Sequence, residues 1–260
     1  MAQLFLHGQS LGPIDGVLFD KDGTLSHSEP DLLALVRRRI STAERLWSEH
    51  DPATTSPPSY RADQLRPLLE QVYGVHGDAI HPAGTLAVAA RQDNLASMAT
   101  VFCLMGSGWP DALELATRCF ADDVLGPEPA SALLNGAERL LHQCQQADVC
   151  TAIISNDTAE GIARFLNHHQ LSDQIAACWS AEDSPRKPDP EAVLTLCNRL
   201  QLKPERCALI GDAETDLQMA QAAGIGLVLG YRGGWQQPPQ LRTTPHLFDD
   251  WSVVAITSGP

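Results

Sequence analysis

Acidic and hydroxyl side chains directly follow several short apolar runs of the sequence. Asp20, Asp22 and Asp212 could lie close together while ionised only beside a counter-charge, because like charges repel strongly away from water. These residue types therefore indicate a site that holds a cation. The clusters are Asp20-Lys21-Asp22-Gly23-Thr24, Ser155-Asn156-Asp157 and Gly211-Asp212-Ala213-Glu214-Thr215-Asp216, with Arg186-Lys187-Pro188 between the last two.

The ligand types in these clusters suit a hard divalent cation. All-oxygen ligation with few protein carboxylates is typical of Mg²⁺, which keeps several waters and commonly bridges to a phosphate. Lys187 adds positive charge for a phosphoryl oxygen, and Ser155 adds a hydroxyl donor. The sequence therefore predicts Mg²⁺ as the cofactor and a phosphorylated molecule as the ligand.

The neighbouring carboxylates at Asp20 and Asp22 suit a two-step phosphoryl transfer. One carboxylate can attack phosphorus and form an aspartyl-phosphate, which divides the transfer into two easier steps. The other, two residues along, can protonate the leaving oxygen and later deprotonate water.

The apolar runs are typical of buried strands. They occupy residues 16–19, 149–154, 176–179, 207–210 and 225–229, and amphipathic helical stripes separate them. Short apolar strands that alternate with helices predict an α/β fold, a Rossmann-like parallel sheet with helices on both faces. Because ligands bind beyond the carboxyl ends of such strands, we expect the polar clusters to meet at one edge of the sheet.

Residues 28–125 have a different pattern, with apolar side chains recurring at helical spacing. They predict an all-helical cap domain inserted after the first strand, while residues 1–27 and 126–260 form the α/β core. Loop-forming residues at 51–59 and 126–129 predict connections. An inserted lid excludes water and favours substrates small enough to be enclosed.

Taken in order, the four clusters resemble the four motifs of the haloacid dehalogenase superfamily, in its phosphatase branch. The resemblance covers residues 14–27 and 134–230, and the intervening region matches in being helical. It implies that Asp20 is the nucleophile and Asp22 the general acid/base. Ser155 and Lys187 would hold the transferring phosphoryl group.

The resemblance further implies two sets of binding residues. The implied substrate-binding residues are Thr24, Ser155, Asn156 and Lys187, and the implied magnesium-binding residues are Asp20, Asp22 through its backbone carbonyl, Asp212 and Asp216.

Asp22 separates this chain from the dehalogenases of the superfamily, which lack that acid. We therefore expect a Mg²⁺-dependent phosphatase that hydrolyses small phosphomonoesters through an aspartyl-phosphate. The core-plus-cap arrangement is similar to that of phosphoglycolate phosphatases, which makes 2-phosphoglycolate the first candidate. Two alternatives remain open: a sugar phosphomutase of the same superfamily, and a non-catalytic protein that binds a phospho-ligand. Cap residues that could set specificity include Arg61, Arg66, Arg91 and Trp109.

The composition limits which binding partners and which cellular compartment are expected for this protein. A formal net charge of −14 argues against nucleic-acid binding, which needs a basic face. No apolar run approaches the roughly 18 residues of a membrane span, and no basic residue precedes Lys21, as a secretory signal would require. The seven cysteines form no Cys-x-x-Cys pair. The expectation is a cytoplasmic protein with a small phosphorylated metabolite as partner, without nucleic acid or membrane.

Residues 8–12 match the Gly-x-Ser-x-Gly pattern of serine hydrolases by letter. That motif needs a strand before its serine and a helix after it, whereas here only three apolar residues precede it and Pro13 follows. A surface loop is predicted instead.

Overall fold

In the part of the chain that the structure describes, the largest sheet has six parallel strands. The structure is a computed structural model that describes residues 1–49, 60–121 and 130–258. The loop predicted at 126–129, the domain boundary predicted at 125/126 and the loop predicted at 51–59 therefore lie outside the described residues.

Strands and helices alternate along most of the chain, and no described helix is long and apolar enough to cross a membrane. The strands are β1 (Ala2–Leu6), β2 (Gln9–Ile14), β3 (Gly16–Phe19), β4 (Ser26–His27), β5 (Val75–His76), β6 (Ala79–Ile80), β7 (Ala132–Leu133), β8 (Cys150–Ile154), β9 (Ala177–Trp179), β10 (Cys207–Gly211), β11 (Leu227–Tyr231), β12 (Leu247–Phe248) and β13 (Val254–Ser258). The helices are α1 (Glu29–Glu49), α2 (Leu65–Tyr73), α3 (Thr85–Val88), α4 (Arg91–Leu104), α5 (Trp109–Ala121), α6 (Ala137–Gln146), α7 (Ala159–His168), α8 (Pro190–Arg199) and α9 (Glu214–Ala222).

Two compact units make up the chain. One contains residues 1–28 and 130–260, and the other contains residues 29–129. The first unit holds the parallel sheet together with α6 to α9.

The parallel sheet has the strand order β12-β11-β10-β3-β8-β9, so β3 lies at its centre. In the register, Phe19 at the end of β3 stands beside Ile153 on one side and Ile210 on the other. The three polar clusters that follow β3, β8 and β10 therefore leave the sheet at the same edge. The predicted α/β fold with a parallel sheet is confirmed.

Both faces of the sheet are covered, which explains why its strands are continuous apolar runs. All four residues of β3 are buried. Val17 and Phe19 belong to one apolar cluster, and Leu18 belongs to another on the opposite face. This alternation follows from the two-residue period of a strand. Helices on each face complete the two clusters.

A second sheet is antiparallel, with the order β13-β1-β2. Its strand β2 begins at Gln9, so residues 9–12 lie in a strand and the loop predicted over 8–12 is wrong there. The hairpin pairs near neighbours in the sequence, but β1 also pairs with β13 at the other end of the chain. Strand β1 is therefore the central strand of this sheet, and its pairing with β2 holds residues 9–14 in an extended conformation that Gly12 and Pro13 do not favour.

Trp251 packs against three aromatic residues of the parallel sheet. Its side chain is fully buried, and its ring centroid lies 5.1 Å from that of Tyr231, 5.2 Å from Phe248 and 6.2 Å from Phe19. Aromatic pairs at such separations contribute more than their buried area alone. Trp251 therefore carries a large share of the packing around the central strand.

We expect Trp251→Ala to lower the free energy of unfolding of this unit by about 3–5 kcal/mol, because it leaves a large cavity in the core. Trp109→Ala is the matched control, since that indole is half exposed and its loss is expected to cost no more than about 0.5 kcal/mol. Urea unfolding followed by circular dichroism measures both. Equal losses from the two variants would contradict the importance assigned to Trp251.

The unit of residues 29–129 is helical in its described part apart from the short antiparallel pair β5–β6. The rings of Trp47 on α1 and Phe102 on α4 are stacked 5.7 Å apart. Tyr73 donates a hydrogen bond of 3.1 Å to the carbonyl of Asn94, which ties α2 to α4. Helix α2 ends at Gly74, whose φ of +74° is the left-handed conformation that glycine adopts readily.

Candidate active site

The predicted site residues follow the carboxyl ends of β3, β8 and β10, at the centre of the parallel sheet. The N–H of Asp20 donates 2.9 Å to the carbonyl of Ile210, which continues the sheet ladder one residue past β3. The N–H of Ser155 likewise donates 2.9 Å to the carbonyl of Trp179. Each polar residue therefore starts from a position that the sheet holds rigidly.

Lys187 lies in the segment between β9 and α8 and links two of the predicted carboxylates. Its ammonium is 2.7 Å from Asp20 Oδ1 and 2.9 Å from Asp216 Oδ1, and it also donates 3.2 Å to the carbonyl of Ile154. The Lys187 side chain is 4% exposed. Burial opposes its charge, but the neighbouring carboxylates of Asp20 and Asp216 outweigh burial and raise the pKa of Lys187. Lys187 is therefore a buried ammonium whose charge Asp20 and Asp216 stabilise.

Asp20, Asp212 and Asp216 form a buried cluster of carboxylates. One oxygen from each lies within 4.8 Å of the others. Burial, together with repulsion from Asp216 and Asp22 and against the attraction of Lys187, raises the pKa of Asp20 to about 6. Burial and repulsion from Asp20 and Asp216 also raise the pKa of Asp212 well above its usual range. A divalent cation would remove this conflict, so the donor set fits a hard metal ion.

Two donors hold the carboxylate of Asp212 in one orientation. Thr24 Oγ1 donates 2.8 Å to Oδ1, and the indole N–H of Trp235 donates 2.6 Å to Oδ2. Gly23 makes this arrangement possible, because a Cβ there would lie 2.3 Å from Trp235 Nε1 and 2.6 Å from Asp212 Oδ2. Its φ of +77° is also a conformation that other residues rarely adopt. Thr24, an implied substrate-binding residue, thus contacts Asp212, an implied metal ligand.

Asp22 occupies a separate polar environment beside the trio. Lys21 Nζ lies 2.5 Å from Asp22 Oδ1, and Ser28 Oγ donates to the same oxygen. Burial would raise the pKa of Asp22, but Lys21 and the hydrogen bonds from Lys21 and Ser28 outweigh it and lower that pKa. The two neighbouring carboxylates Asp20 and Asp22 therefore have pKa values moved in opposite directions.

Ser155 and Asn156 form the loop between β8 and α7. Ser155 is buried, and its hydroxyl accepts a 3.1 Å hydrogen bond from the N–H of Asp157. Asn156 is half-buried next to it. Thr158 caps the following helix by accepting 3.0 Å from the N–H of Gly161. The helix cap is thus Thr158, which leaves Ser155 outside the helix, at the end of the strand.

The structure brings the sequence-predicted residues into one region and adds four partners to which the sequence analysis gave no role, of which Lys21 and Asp157 belong to the predicted polar clusters. Thr24 contacts Asp212, and Lys187 contacts Asp20 and Asp216. Oxygens of the three aspartates lie within 4.8 Å of one another. The added residues are Lys21, Ser28, Asp157 and Trp235. The available signal for Lys21 and Asp157 was their place in polar clusters that directly follow β3 and β8.

Comparisons with known proteins agree with this geometry. A family model described as haloacid dehalogenase-like hydrolase matches residues 14–224. A phosphoglycolate phosphatase of Xanthomonas campestris is 28% identical over 242 residues, which cover 86% of this chain and 93% of that protein. A validoxylamine A 7'-phosphate phosphatase of Streptomyces hygroscopicus is 34% identical over 116 residues, 43% of this chain and 53% of that protein.

The fold agrees as well. The crystal structure of a predicted phosphoglycolate phosphatase from Haemophilus somnus has a TM-score of 0.60 at 15% identity, over 93% of this chain and 96% of that one. At that identity the likeness concerns the fold alone. The family model spans most of the chain and includes every predicted site residue. The resemblance of the motifs is thereby confirmed: this chain belongs to the haloacid dehalogenase-like hydrolases and is an enzyme of their phosphatase branch.

Proposed function

We propose that this protein is a Mg²⁺-dependent phosphatase that hydrolyses small phosphomonoesters through an aspartyl-phosphate at Asp20. The observation that carries the proposal is the contact of the buried Lys187 ammonium with Asp20 and Asp216, beside the carboxylate of Asp212. A nucleophile, a cation for phosphoryl oxygens and a set of oxygen ligands then lie at the carboxyl edge of one sheet.

In the first proposed step, an oxygen of the Asp20 carboxylate attacks phosphorus while the bond from phosphorus to the leaving oxygen breaks. Asp22 gives its proton to that oxygen, so that an alcohol departs. In the second step, Asp22 takes a proton from water, the water oxygen attacks phosphorus, and the bond to Asp20 breaks. Inorganic phosphate leaves, Asp20 is again a carboxylate, and Asp22 again carries the proton with which it began the cycle.

Four residues are proposed to order the phosphoryl group of the substrate: Ser155, Asn156 and Lys187 by contact, and Thr24 through its hydrogen bond to Asp212. Lys187 supplies the positive charge, and its pairing with Asp20 keeps the ammonium beside the attacking oxygen. Ser155 supplies a hydroxyl from a rigid position at the end of β8. Preorganised donors of this kind stabilise the charge that develops in the transition state.

Asp20, Asp212 and Asp216 are proposed to hold Mg²⁺, together with the backbone carbonyl of Asp22. The raised pKa values of Asp20 and Asp212 support this assignment. They arise from burial and from repulsion between neighbouring carboxylates, which a bound cation would reduce. When bound, the ion neutralises phosphate charge that would otherwise repel the carboxylate nucleophile. Thr24 and Trp235 orient Asp212 for this task.

We expect Trp235→Phe to raise the Mg²⁺ dissociation constant about 10-fold, because the Oδ2 atom of Asp212 loses the donor that orients it. Titration calorimetry with MgCl₂ alone measures the change without any turnover. Trp109→Phe is the control, since its half-exposed indole lies in the other unit. An unchanged Mg²⁺ affinity in the Trp235 variant would argue against a role for this contact.

The domain roles are proposed as the sequence predicts them, with residues 1–27 and 126–260 as the catalytic core and residues 28–125 as the cap. All of the proposed catalytic and metal-binding residues belong to the first compact unit. The cytoplasm is the proposed compartment, because the structure holds its seven cysteines as free thiols. A small phosphorylated metabolite is the proposed partner.

We propose 2-phosphoglycolate as the first substrate to test, supported by the names of the relatives. A panel of phosphorylated metabolites compared by kcat/KM, with Mg²⁺ and with EDTA, is the direct experiment. A hexose phosphate preferred about 10-fold, or about 1.4 kcal/mol of discrimination, would replace this substrate and leave the reaction class intact.

The same panel distinguishes the two other functions. A sugar phosphomutase would convert a sugar phosphate into an isomer without stoichiometric phosphate release. A non-catalytic binding protein would bind a phosphorylated ligand and release no phosphate from any of them. Phosphate release that requires Mg²⁺ supports the phosphatase, and its absence from every ester would refute it.

A further inference from the structure

Lys21 is a buried cation that the proposed reaction does not yet use. It stands between Asp20 and Asp22, and its side chain is 5% exposed. Its ammonium lies 2.5 Å from Asp22 Oδ1 and 3.1 Å from Asp157 Oδ2, and 5.6 Å from the centroid of the Phe165 ring on α7. Removing an ammonium from water is costly, so a site that keeps one needs compensating partners. Asp22 and Asp157 are those partners.

The contacts of Lys21 and Ser28 distinguish the two carboxylate oxygens of Asp22. Lys21 Nζ and Ser28 Oγ both donate to Oδ1. A proton on Asp22 is then expected on Oδ2, the oxygen to which neither of these two groups donates. A carboxylate held through one oxygen presents the other in a fixed direction, which proton transfer in a transition state requires.

Asp157 anchors this arrangement from the loop between β8 and α7. Its Oδ1 accepts a 2.7 Å hydrogen bond from the N–H of Thr158, while Oδ2 pairs with Lys21. Asp157 is thus held at the start of α7. Because Lys21 contacts both Asp157 and Asp22, it fixes Asp22 relative to that helix. The carbonyl of Lys21 meanwhile accepts from the N–H groups of Leu25 and Ser26 at 2.9 Å each, contacts that do not depend on the side chain.

We infer that Lys21, held by Asp157, is a positioning residue that fixes Asp22 with Oδ2 free to protonate the leaving oxygen. The inference rests on the proposed function, because it assigns a task only if Asp22 is the general acid. It concerns the step in which the bond to the leaving oxygen breaks. The loss of activity on replacing Lys21 should therefore be larger for an ester whose leaving oxygen must be protonated.

The test compares two esters through kcat/KM, which reports events up to the formation of the phospho-enzyme. An alkyl phosphate needs a proton on its leaving oxygen, whereas 2,4-dinitrophenyl phosphate releases a stable phenolate without one. The Lys21 ammonium favours the ionised form of Asp22, so by charge alone Lys21→Met would help Asp22 to hold a proton, and a loss confined to the alkyl ester therefore reports the lost position. We expect Lys21→Met to lower kcat/KM about 30-fold for the alkyl ester and no more than about 3-fold for the aryl ester. Asp22→Ala should also lower kcat/KM selectively for the alkyl ester. The variant with both Lys21→Met and Asp22→Ala should show a kcat/KM for that ester little lower than that of Asp22→Ala alone.

Two further variants keep the test decisive if Lys21→Met folds poorly. Asp157→Asn removes the anchor and should show the same selectivity with a smaller loss, while Lys21→Arg should restore most of the alkyl-ester activity. Arg139→Met controls for loss of a cation elsewhere in the same unit, where Arg139 donates to the carbonyls of Trp251 and Val254. It should leave the ratio between the two esters unchanged.

Equal losses for both esters would overturn the inference, since a general structural role predicts that result. Full alkyl-ester activity in both Lys21→Met and Asp157→Asn would overturn it as well. If the unaltered protein releases phosphate from neither ester, the proposed function fails and the inference fails with it. Activity of the unaltered protein without ester selectivity in the variants overturns the inference alone.

Discussion

Replacing Asp20 with Asn is expected to lower kcat for phosphate release by about 10⁴-fold or more, because an amide cannot attack phosphorus in place of a carboxylate. The fold should survive the change. Asp20 is one of three crowded carboxylates, and its pKa of about 6 records the cost of ionising it when buried beside Asp216 and Asp22. A neutral side chain there relieves part of the repulsion and can still accept a hydrogen bond from Lys187.

The measurement has two parts. Steady-state phosphate release gives the loss in kcat, and reduction of the acid-quenched enzyme with borohydride marks the phosphorylated carboxylate for peptide mass spectrometry. Asp15→Asn is the control, since Asp15 is an exposed carboxylate of the same unit paired with Arg206. Residual turnover within about 10-fold of the unaltered protein, or a label on another aspartate, would contradict the role of Asp20.

Lys187→Met should impair both activity and stability. We expect kcat/KM to fall about 10³-fold, because the phosphoryl oxygens lose a preorganised cation in a site shielded from water. We also expect the free energy of unfolding to fall by about 3 kcal/mol, since Asp20 and Asp216 then remain buried without their ammonium partner. Part of that loss is recovered as one of these carboxylates takes up a proton.

Urea unfolding in EDTA measures the stability change without a metal ion, and the aryl phosphate assay measures the activity change. Arg232→Met is the matched control, because Arg232 forms a solvent-exposed ion pair with Asp249. Its loss is expected to cost less than about 1 kcal/mol. A Lys187 variant as stable and as active as the Arg232 variant would remove Lys187 from the proposed site.

The sequence by itself determined the parallel sheet and the edge at which its polar clusters meet. A strand buried on both faces must be apolar throughout, so β3, β8 and β10 stand out as short continuous runs. Parallel strands end at the same edge, so the residues that follow them gather along that edge whatever their separation along the chain. The proximity of Asp20 and Asp212 also requires β3 and β10 to be adjacent, as they are in the structure.

The tertiary structure alone decided which side chains surround that edge. Trp235 reaches Asp212 from a loop after β11, and nothing in the local pattern of a Gly-Gly-Trp segment marks it as a partner of a carboxylate. The pairing of β1 with β13 is equally hidden, because a strand at a sheet edge owes its conformation to its partner and not to its own residue types. Lys21 is the instructive case. Its identity is plain in the sequence, but the two carboxylates that make its burial tolerable come together only when β3 and β8 lie side by side, since the energy of a buried charge depends on what surrounds it in three dimensions.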